Sequence, residues 1–315
     1  LSSSASDMAG GFSLITCLPA ASAAHTNSQC ESFGVATSTR LISSSRRKSS
    51  SLSYPRKPAS RAAATRALNS YVETYPKGSY RTDALYYLSD CYLVADNRER
   101  AIETLTALAD QGKTPYTVPV LEKLSELTCA EKRWDEAAAA YRRLYDVAPS
   151  RTAREDAATG YVRARVAGGD AAKIAAAARE VIALPDAGQT ATREAKYALA
   201  TQLREGGDAA EAAKLYRDLA AEVRTKEGSE AAYRLIEATF ASGDLDRTEK
   251  EVFALSDRNP QPYWLARAYL LLGEVYVRRG DTFQARATWQ SVADGYSPAD
   301  DGIVEEARAR IAKLN

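Results

Sequence analysis

One pattern recurs along this chain at an almost constant interval. A small residue is followed four positions later by a bulkier or apolar one, and three beyond that by another apolar one. The sets are Ala64/Leu68/Tyr71, Ala101/Leu105/Leu108, Ala137/Tyr141/Leu144, Ile174/Ala178/Val181, Ala212/Tyr216/Leu219, Thr248/Val252/Leu255 and Ala285/Trp289/Val292. Successive anchors lie 37, 36, 37, 38, 36 and 37 residues apart. Offsets of four and seven place each set on one helix face. A unit this short cannot bury its apolar face alone, so neighbours must stack side by side.

The residues between the sets complete each unit. Five positions before the last six anchors stand Asp96, Lys132, Gly169, Gly207, Gly243 and Gly280, and in four of these units the pair reads Gly-Asp. Glycine can adopt the left-handed conformation that closes one helix, and Asp can accept from the free amides that open the next. Pro76, Pro149 and Pro260 fall twelve residues after an anchor, where a helix should stop. Leu88, Leu124, Leu199 and Leu272, with Tyr92 and Tyr276, supply apolar positions on the preceding helix. The unit is therefore helix, tight turn, helix, breaker. The organisation expected is a partial first repeat over 61–78, six repeats over 79–298, and an amphipathic capping helix over 299–315 on Val304, Ala307, Ile311 and Leu314.

Residues 1–60 differ from the repeats. They hold six Lys/Arg against Asp7 and Glu31, and 17 serines against 10 in the remainder, while residues 61–315 carry 36 basic and 39 acidic side chains. Low hydrophobicity without an apolar period cannot offset the entropy of ordering, so this segment is expected to be disordered. Its composition is that of an organelle transit peptide and equally that of a non-native upstream extension. Gly11 to Thr16 is too short for the apolar core of a secretory signal, and no stretch reaches the roughly 18 apolar residues of a membrane span. Cys91 and Cys129, with no Cys-x-x-Cys pair, are expected to be free structural thiols.

These sets resemble the tetratricopeptide repeat family over about 250 residues, best in Leu272-Gly273, Tyr276, Gly280-Asp281, Ala285 and Trp289. The anchors Ile174 and Thr248 depart from the family's small-residue rule. The resemblance implies an all-α, right-handed superhelical solenoid that binds proteins or peptides, needs no cofactor and carries no catalytic centre. It further implies that positions five and nine of each first helix face a concave groove. Position five then holds Tyr86, Glu122, Thr159, Tyr197, Tyr233 and Leu270, and position nine Asp90, Glu126, Arg163, Thr201, Glu237 and Glu274. Four acids among the ninth positions and three tyrosines among the fifth suit a partner with basic and apolar residues. Chaperone-binding members grip a carboxylate terminus with Lys and Asn at these positions. No unit here has Lys at five or Asn at nine, so that mode is excluded. Tyr75-Pro76-Lys77-Gly78-Ser79-Tyr80, followed by Ala84-Leu85-Tyr86-Tyr87-Leu88, is similar to bacterial cell-envelope members of the Bam-complex lipoprotein and Tol–Pal-associated kinds. That likeness implies a periplasmic or outer-membrane-associated scaffold; a cytoplasmic one is the alternative.

Other function classes fit poorly. The sole histidine, His25, precedes the repeats, which removes a histidine-based triad or metal site from the folded part. No strand pattern precedes a glycine-rich loop, and adjacent carboxylates such as Glu305-Glu306 diverge on a helix. Arg46-Arg47-Lys48 has no stacking aromatics beside it, and the repeats beyond are acidic, which argues against nucleic acid. A repeat region of a larger protein, with an activity encoded upstream, is the alternative reading. If small anchors allow close helix approach, Ala212→Leu should lower the urea midpoint by an amount equal to about 1–3 kcal/mol of overpacking.

Overall fold

The computed structural model describes residues 58–297 and 301–314; His25, Cys17, Cys30 and Arg46-Arg47-Lys48 lie outside them. The described residues form α-helices and no strand. In order these are α1 (Pro58–Thr74), α2 (Arg81–Val94), α3 (Arg98–Ala109), α4 (Thr117–Ala130), α5 (Trp134–Val147), α6 (Arg151–Gly168) and α7 (Ala171–Ala183). They continue as α8 (Gly188–Glu205), α9 (Ala209–Ala220), α10 (Lys226–Ala241), α11 (Leu245–Ser256), α12 (Pro262–Arg278), α13 (Thr282–Gly295) and α14 (Ile303–Ala312). The chain divides within α8 into two compact units, one holding the described residues up to Ala195 and the other those from Lys196 onward.

Each unit is a stack of helical hairpins. In the N-terminal unit α1 packs on α2, and the succession α2 to α7 pairs each helix with the next. In the C-terminal unit the same succession runs from α9 to α14, with first helices also touching across a repeat, α10 on α12 and α12 on α14. Substantial contacts therefore join sequence neighbours, as a solenoid requires.

The turns show why each hairpin closes where it does. Gly169, Gly207, Gly243 and Gly280 all have positive φ, between 75° and 86°. Asp96 and Lys132 hold the same position at φ 53° and 57°, accepting a conformation costly for a residue with a Cβ. The following residue caps the second helix: Asp170, Asp208, Asp244 and Asp281 accept from the amides of Lys173, Glu211, Arg247 and Gln284 at 3.0–3.2 Å. Asn97 does the same for Arg100, whereas Arg133 offers no side-chain cap. Breakers then separate the repeats, with α1 ending at Thr74 before Pro76, and α5 at Val147 before Pro149.

The second helices then fall into register. Ala101, Ala137, Ile174, Ala212, Thr248 and Ala285 are each the fourth residue of their helix. All six are buried, the most exposed, Ile174, to only 6%. The two departures from the small-residue rule are absorbed locally. At Ile174 the residue one turn on is Ala178, so large and small exchange places; at Thr248 the hydroxyl donates to the carbonyl of Asp244 at 2.7 Å. In α1 the corresponding Ala64, Leu68 and Tyr71 are only half-buried.

The last full repeat shows how tight this contact becomes. Trp289 is buried and its Nε1 donates to the carbonyl of Leu270 at 3.0 Å. A Cβ on Gly273 would fall 2.0 Å from that nitrogen, so only glycine admits the indole. Ile303 and Ala307 of α14 are buried against the same core, which closes the apolar end of the stack.

Lys132 is the turn residue most out of keeping with its backbone, since it is exposed and carries no compensating cap. Lys132→Gly should raise stability by about 1 kcal/mol by removing the left-handed penalty. The check is the denaturation midpoint; an unchanged or lowered midpoint would show that the turn stores no strain.

Candidate functional site

The residues assigned to positions five and nine are not alike once folded. Leu270 and Tyr233 are 1% and 3% exposed and belong to the core of the C-terminal unit, so neither can line an open groove. Thr201 donates its hydroxyl to the carbonyl of Tyr197 at 3.0 Å, within its own helix. Arg163 is engaged by both oxygens of Glu194, at 2.6 and 2.8 Å.

Most of the acids are also engaged. Asp90 accepts from Lys123 at 2.5 Å, Glu237 from Arg234 at 3.0 Å, and Glu274 from Arg310. Two of these pairs bridge successive first helices. So do Arg267 with Glu306 at 2.8 Å and Tyr197 with Glu230 at 2.8 Å. The bridged partners stand 33, 36, 39 and 33 residues apart, about one repeat each. The expected acidic face is therefore largely neutralised, because most ninth-position acids find a cation on the next first helix or one turn away on their own.

In the C-terminal unit this closure is nearly complete. Glu230, only 8% exposed, accepts from both Tyr197 and Arg234. The Arg234 guanidinium lies 5.6 Å from the ring of Tyr233 and 5.5 Å from that of Trp264. Arg310 joins Glu274 to Glu306 and lies 5.8 Å from the ring of Trp289. Ion pairs and ring faces thus satisfy one another across α8, α10, α12 and α14.

The N-terminal unit leaves charge uncompensated. Tyr86 stacks on Tyr116 with ring centres 4.3 Å apart, and Lys123 Nζ lies 4.2 Å over the Tyr86 ring while donating to its hydroxyl at 3.1 Å. The hydroxyl of Tyr116 donates to Asp83 at 2.6 Å. Beyond this aromatic group, one turn apart on α4, stand Glu122 and Glu126, both exposed and neither in an ion pair with another described residue. Burial against the neighbouring helix surfaces raises both carboxyls above their usual range, and Glu126 raises that of Glu122 further. Lys123 opposes this only in part, because its ammonium is committed to Asp90. Burial is the strongest single influence on Lys123 and works against its charge, but the bond and charge of Asp90 together with the Tyr86 hydroxyl outweigh it and hold the ammonium protonated. Asp156 on α6 is raised in the same way as the α4 pair, by burial and then by Glu155. Beside it an open hollow of about 490 Å³ is lined by Arg151, Glu155, Asp156, Thr159, Arg163 and Gln189.

The sequence reading missed Tyr116, Lys123, Trp264, Arg234, Arg267 and Arg310. A signal for several of them was present, since a residue of opposite charge recurs about one repeat after a groove position. Among the described residues no group of His, Cys, Asp and Glu could hold a metal ion, and Cys91 and Cys129 are free, the latter's thiol pushed up by burial. No described helix is long and apolar enough to cross a membrane.

Comparison with known families agrees with the hairpin geometry. The tetratricopeptide repeat model matches residues 83–111 and 267–297. No curated protein matches. Among solved structures, a tetratricopeptide repeat protein from Parabacteroides merdae is 12% identical with a TM-score of 0.37, over 81% of this chain and 93% of that one. BtubC from P. vanneervenii is 17% identical with a TM-score of 0.39, over 65% and 92%. A MamA protein is 15% identical with a TM-score of 0.34, over 70% and 98%. Likenesses this remote carry no weight for function.

Glu122 and Glu126 supply a pH-dependent check. A carboxyl whose pKa is raised by folding favours the folded state when protonated, so its benefit is present in acid and lost as pH rises through its folded-state pKa. The double change Glu122→Gln/Glu126→Gln should therefore leave the protein at least as stable as the native chain at neutral pH. The two should converge as both carboxyls become protonated in acid. Urea midpoints across that range test this, and a variant less stable at neutral pH would show that the pair holds the fold together.

Proposed function

We propose that this array of tetratricopeptide-type hairpins is a non-catalytic scaffold that captures a protein segment bearing basic and apolar residues. The binding face is the surface of α2, α4 and α6 in the N-terminal unit. The observation that carries this reading is the pair Glu122 and Glu126, two exposed carboxylates in no ion pair among the described residues, beside the stacked Tyr86 and Tyr116. Every other acid assigned to the groove is already satisfied within the fold.

Two carboxylates held one turn apart repel each other and lose part of their hydration to neighbouring helices. A lysine or arginine arriving from a partner offsets both costs. The uncovered edges of these half-buried rings offer apolar area, which suits aliphatic stems and side chains of an extended segment. Charge at the edge of such a surface acts mainly on the encounter rate and on register.

The contrast between the two units makes the proposal testable. Charge reversal at Glu122 and Glu126 should weaken binding of a fluorescent peptide containing Lys, Arg and Leu by about tenfold or more, equal to roughly 1.4 kcal/mol, without loss of helicity. Reversal at Glu237 and Glu274 should instead lower stability, because those acids hold Arg234 and Arg310, and should leave peptide affinity near the native value. Equal binding by all three proteins would remove the α4 carboxylates from the site.

A further inference from the structure

The turn between α1 and α2 displays apolar area that the fold does not use. It reads Tyr75-Pro76-Lys77-Gly78-Ser79-Tyr80 and leads into Arg81, the first residue of α2. Tyr75 and Tyr80 are 55% and 69% exposed, and among the described large apolar side chains only Phe283 is more open than Tyr80. Neither tyrosine hydroxyl has a hydrogen-bond partner among the described residues. The turn itself is closed, since the amide of Gly78 donates to the carbonyl of Tyr75, and that of Arg81 to the carbonyl of Gly78, both at 3.0 Å. Tyr71 braces the Tyr75 ring, with ring centres 5.1 Å apart. The open rings thus stand on a fixed turn.

The next connection of the same kind, between α3 and α4, is tied to this turn. Thr82 donates to the side chain of Gln111 at 2.9 Å, and Tyr116 to Asp83 at 2.6 Å. Lys113 lies between Gln111 and Tyr116. Thr117 fixes that loop, its hydroxyl donating to the carbonyl of Gly112 at 3.2 Å and accepting from the amide of Thr114 at 2.8 Å. Lys77, Arg81 and Lys113 therefore share one edge of the N-terminal unit, and none of them is in an ion pair with another described residue. The acids nearby are fewer or occupied. Asp83 takes the Tyr116 hydroxyl, Asp110 is paired with Arg143 at 3.0 Å, and Glu73, in the last turn of α1, is exposed. In repeats with 36 basic and 39 acidic side chains, this edge holds a local surplus of cations.

We infer that this edge is a second interaction surface, on which Tyr75, Tyr80, Lys77, Arg81 and Lys113 take an acidic segment of a partner protein that also bears aliphatic residues. The surface has the opposite charge preference to the α4 face and does not rest on it. Charge complementarity selects the occupant, because an arriving Asp or Glu meets cations that no described carboxylate holds. Arg81 suits this role best. It is half-buried, and its Nε is covered without an acceptor among the described residues, so the guanidinium lies against the surface. A guanidinium held in this way loses little freedom on meeting a carboxylate and can offer it paired N–H bonds. The rings of Tyr75 and Tyr80 then cover aliphatic side chains, and their hydroxyls gain acceptors. A bilayer is the poorer fit, since anionic lipid surfaces are held by clusters of roughly four to eight cations, whereas this edge has three with Glu73 close by. Because these charges are largely exposed, added salt should weaken the contact.

The test uses the full chain, a fluorescein-labelled peptide of Glu, Asp and Leu, and vesicles of phosphatidylserine and phosphatidylcholine. The variant Lys77→Glu/Arg81→Glu/Lys113→Glu should bind the acidic peptide about tenfold or more weakly than the native chain. Lys77→Glu/Lys113→Glu, which leaves the half-buried Arg81 in place, should show part of that loss with an unchanged urea midpoint. Tyr75→Ala/Tyr80→Ala should weaken the same peptide about fivefold or more, while Glu122→Gln/Glu126→Gln should leave it unchanged. Equal affinity of the native and charge-reversed chains for the acidic peptide, measurable or not, would overturn the assignment. So would a tyrosine variant that binds like the native chain, because the attraction would then be diffuse charge without a surface. Sedimentation of the native chain with the vesicles, lost on charge reversal and not competed by the acidic peptide, would assign the edge to a bilayer and overturn the protein partner. If the acidic peptide fails while charge reversal at Glu122 and Glu126 still weakens the Lys/Arg/Leu peptide, this edge falls and the α4 face stands.

Discussion

Burial of the fourth residue of each second helix is the contact on which the rest of the molecule depends. At that point two helix backbones come close, and the side chain one turn later fills the space beside them. Where the anchor is alanine, the neighbour is large, as with Tyr216 or Trp289; where the anchor is Ile174, the neighbour shrinks to Ala178. Between Ala101 with Leu105 and Ile174 with Ala178 the total volume is kept while its parts are exchanged, which is what a closely packed interior tolerates. Gly273 belongs to the same contact, since a methyl group there would collide with the indole of Trp289.

Register along the chain follows from the turns. A left-handed residue ends each first helix, and in most repeats an Asp or Asn then opens the second, so its start cannot slide. With the start fixed, the fourth residue always meets the neighbouring helix. That regularity also sets the geometry of the outer face of the first helices, where side chains one repeat apart stand within hydrogen-bonding reach. Lys123 with Asp90, Arg310 with Glu274 and Arg267 with Glu306 are consequences of this spacing. Partly exposed pairs of this kind add little stability individually, but they decide which charges remain for a partner. In the C-terminal unit almost none remain; in the N-terminal unit Glu122 and Glu126 do.

Much of the fold was legible in the amino-acid sequence because its determinants are local. The interval between anchors, the Gly-Asp turns and the prolines act within one hairpin, and the same few residues recur often enough to be read in phase. The turns at Asp96 and Lys132 lack glycine, yet their place in the repeat identified them, and both adopt the same backbone conformation. The candidate site was less legible. Position in the repeat placed Tyr233 and Leu270 on a binding face, while the structure buries both, because exposure depends on which neighbouring side chains are large enough to cover them. Arg234, Trp264 and α14 cover that part of the C-terminal unit, and none belongs to the family positions used to assign a groove.

The sequence by itself determined that this protein is all-α, that its helices pair into hairpins of about 37 residues, and where those hairpins turn. These properties follow from side-chain size and backbone preference within a single repeat, which folding does not alter. Only the tertiary structure decided which acids on the first helices are left without a cation. For Asp90 and Glu274 the partner lies about a full repeat away in sequence, and whether the two meet depends on helix spacing, side-chain reach and intervening rings. Composition counts charges of each sign; stacking determines which of them cancel.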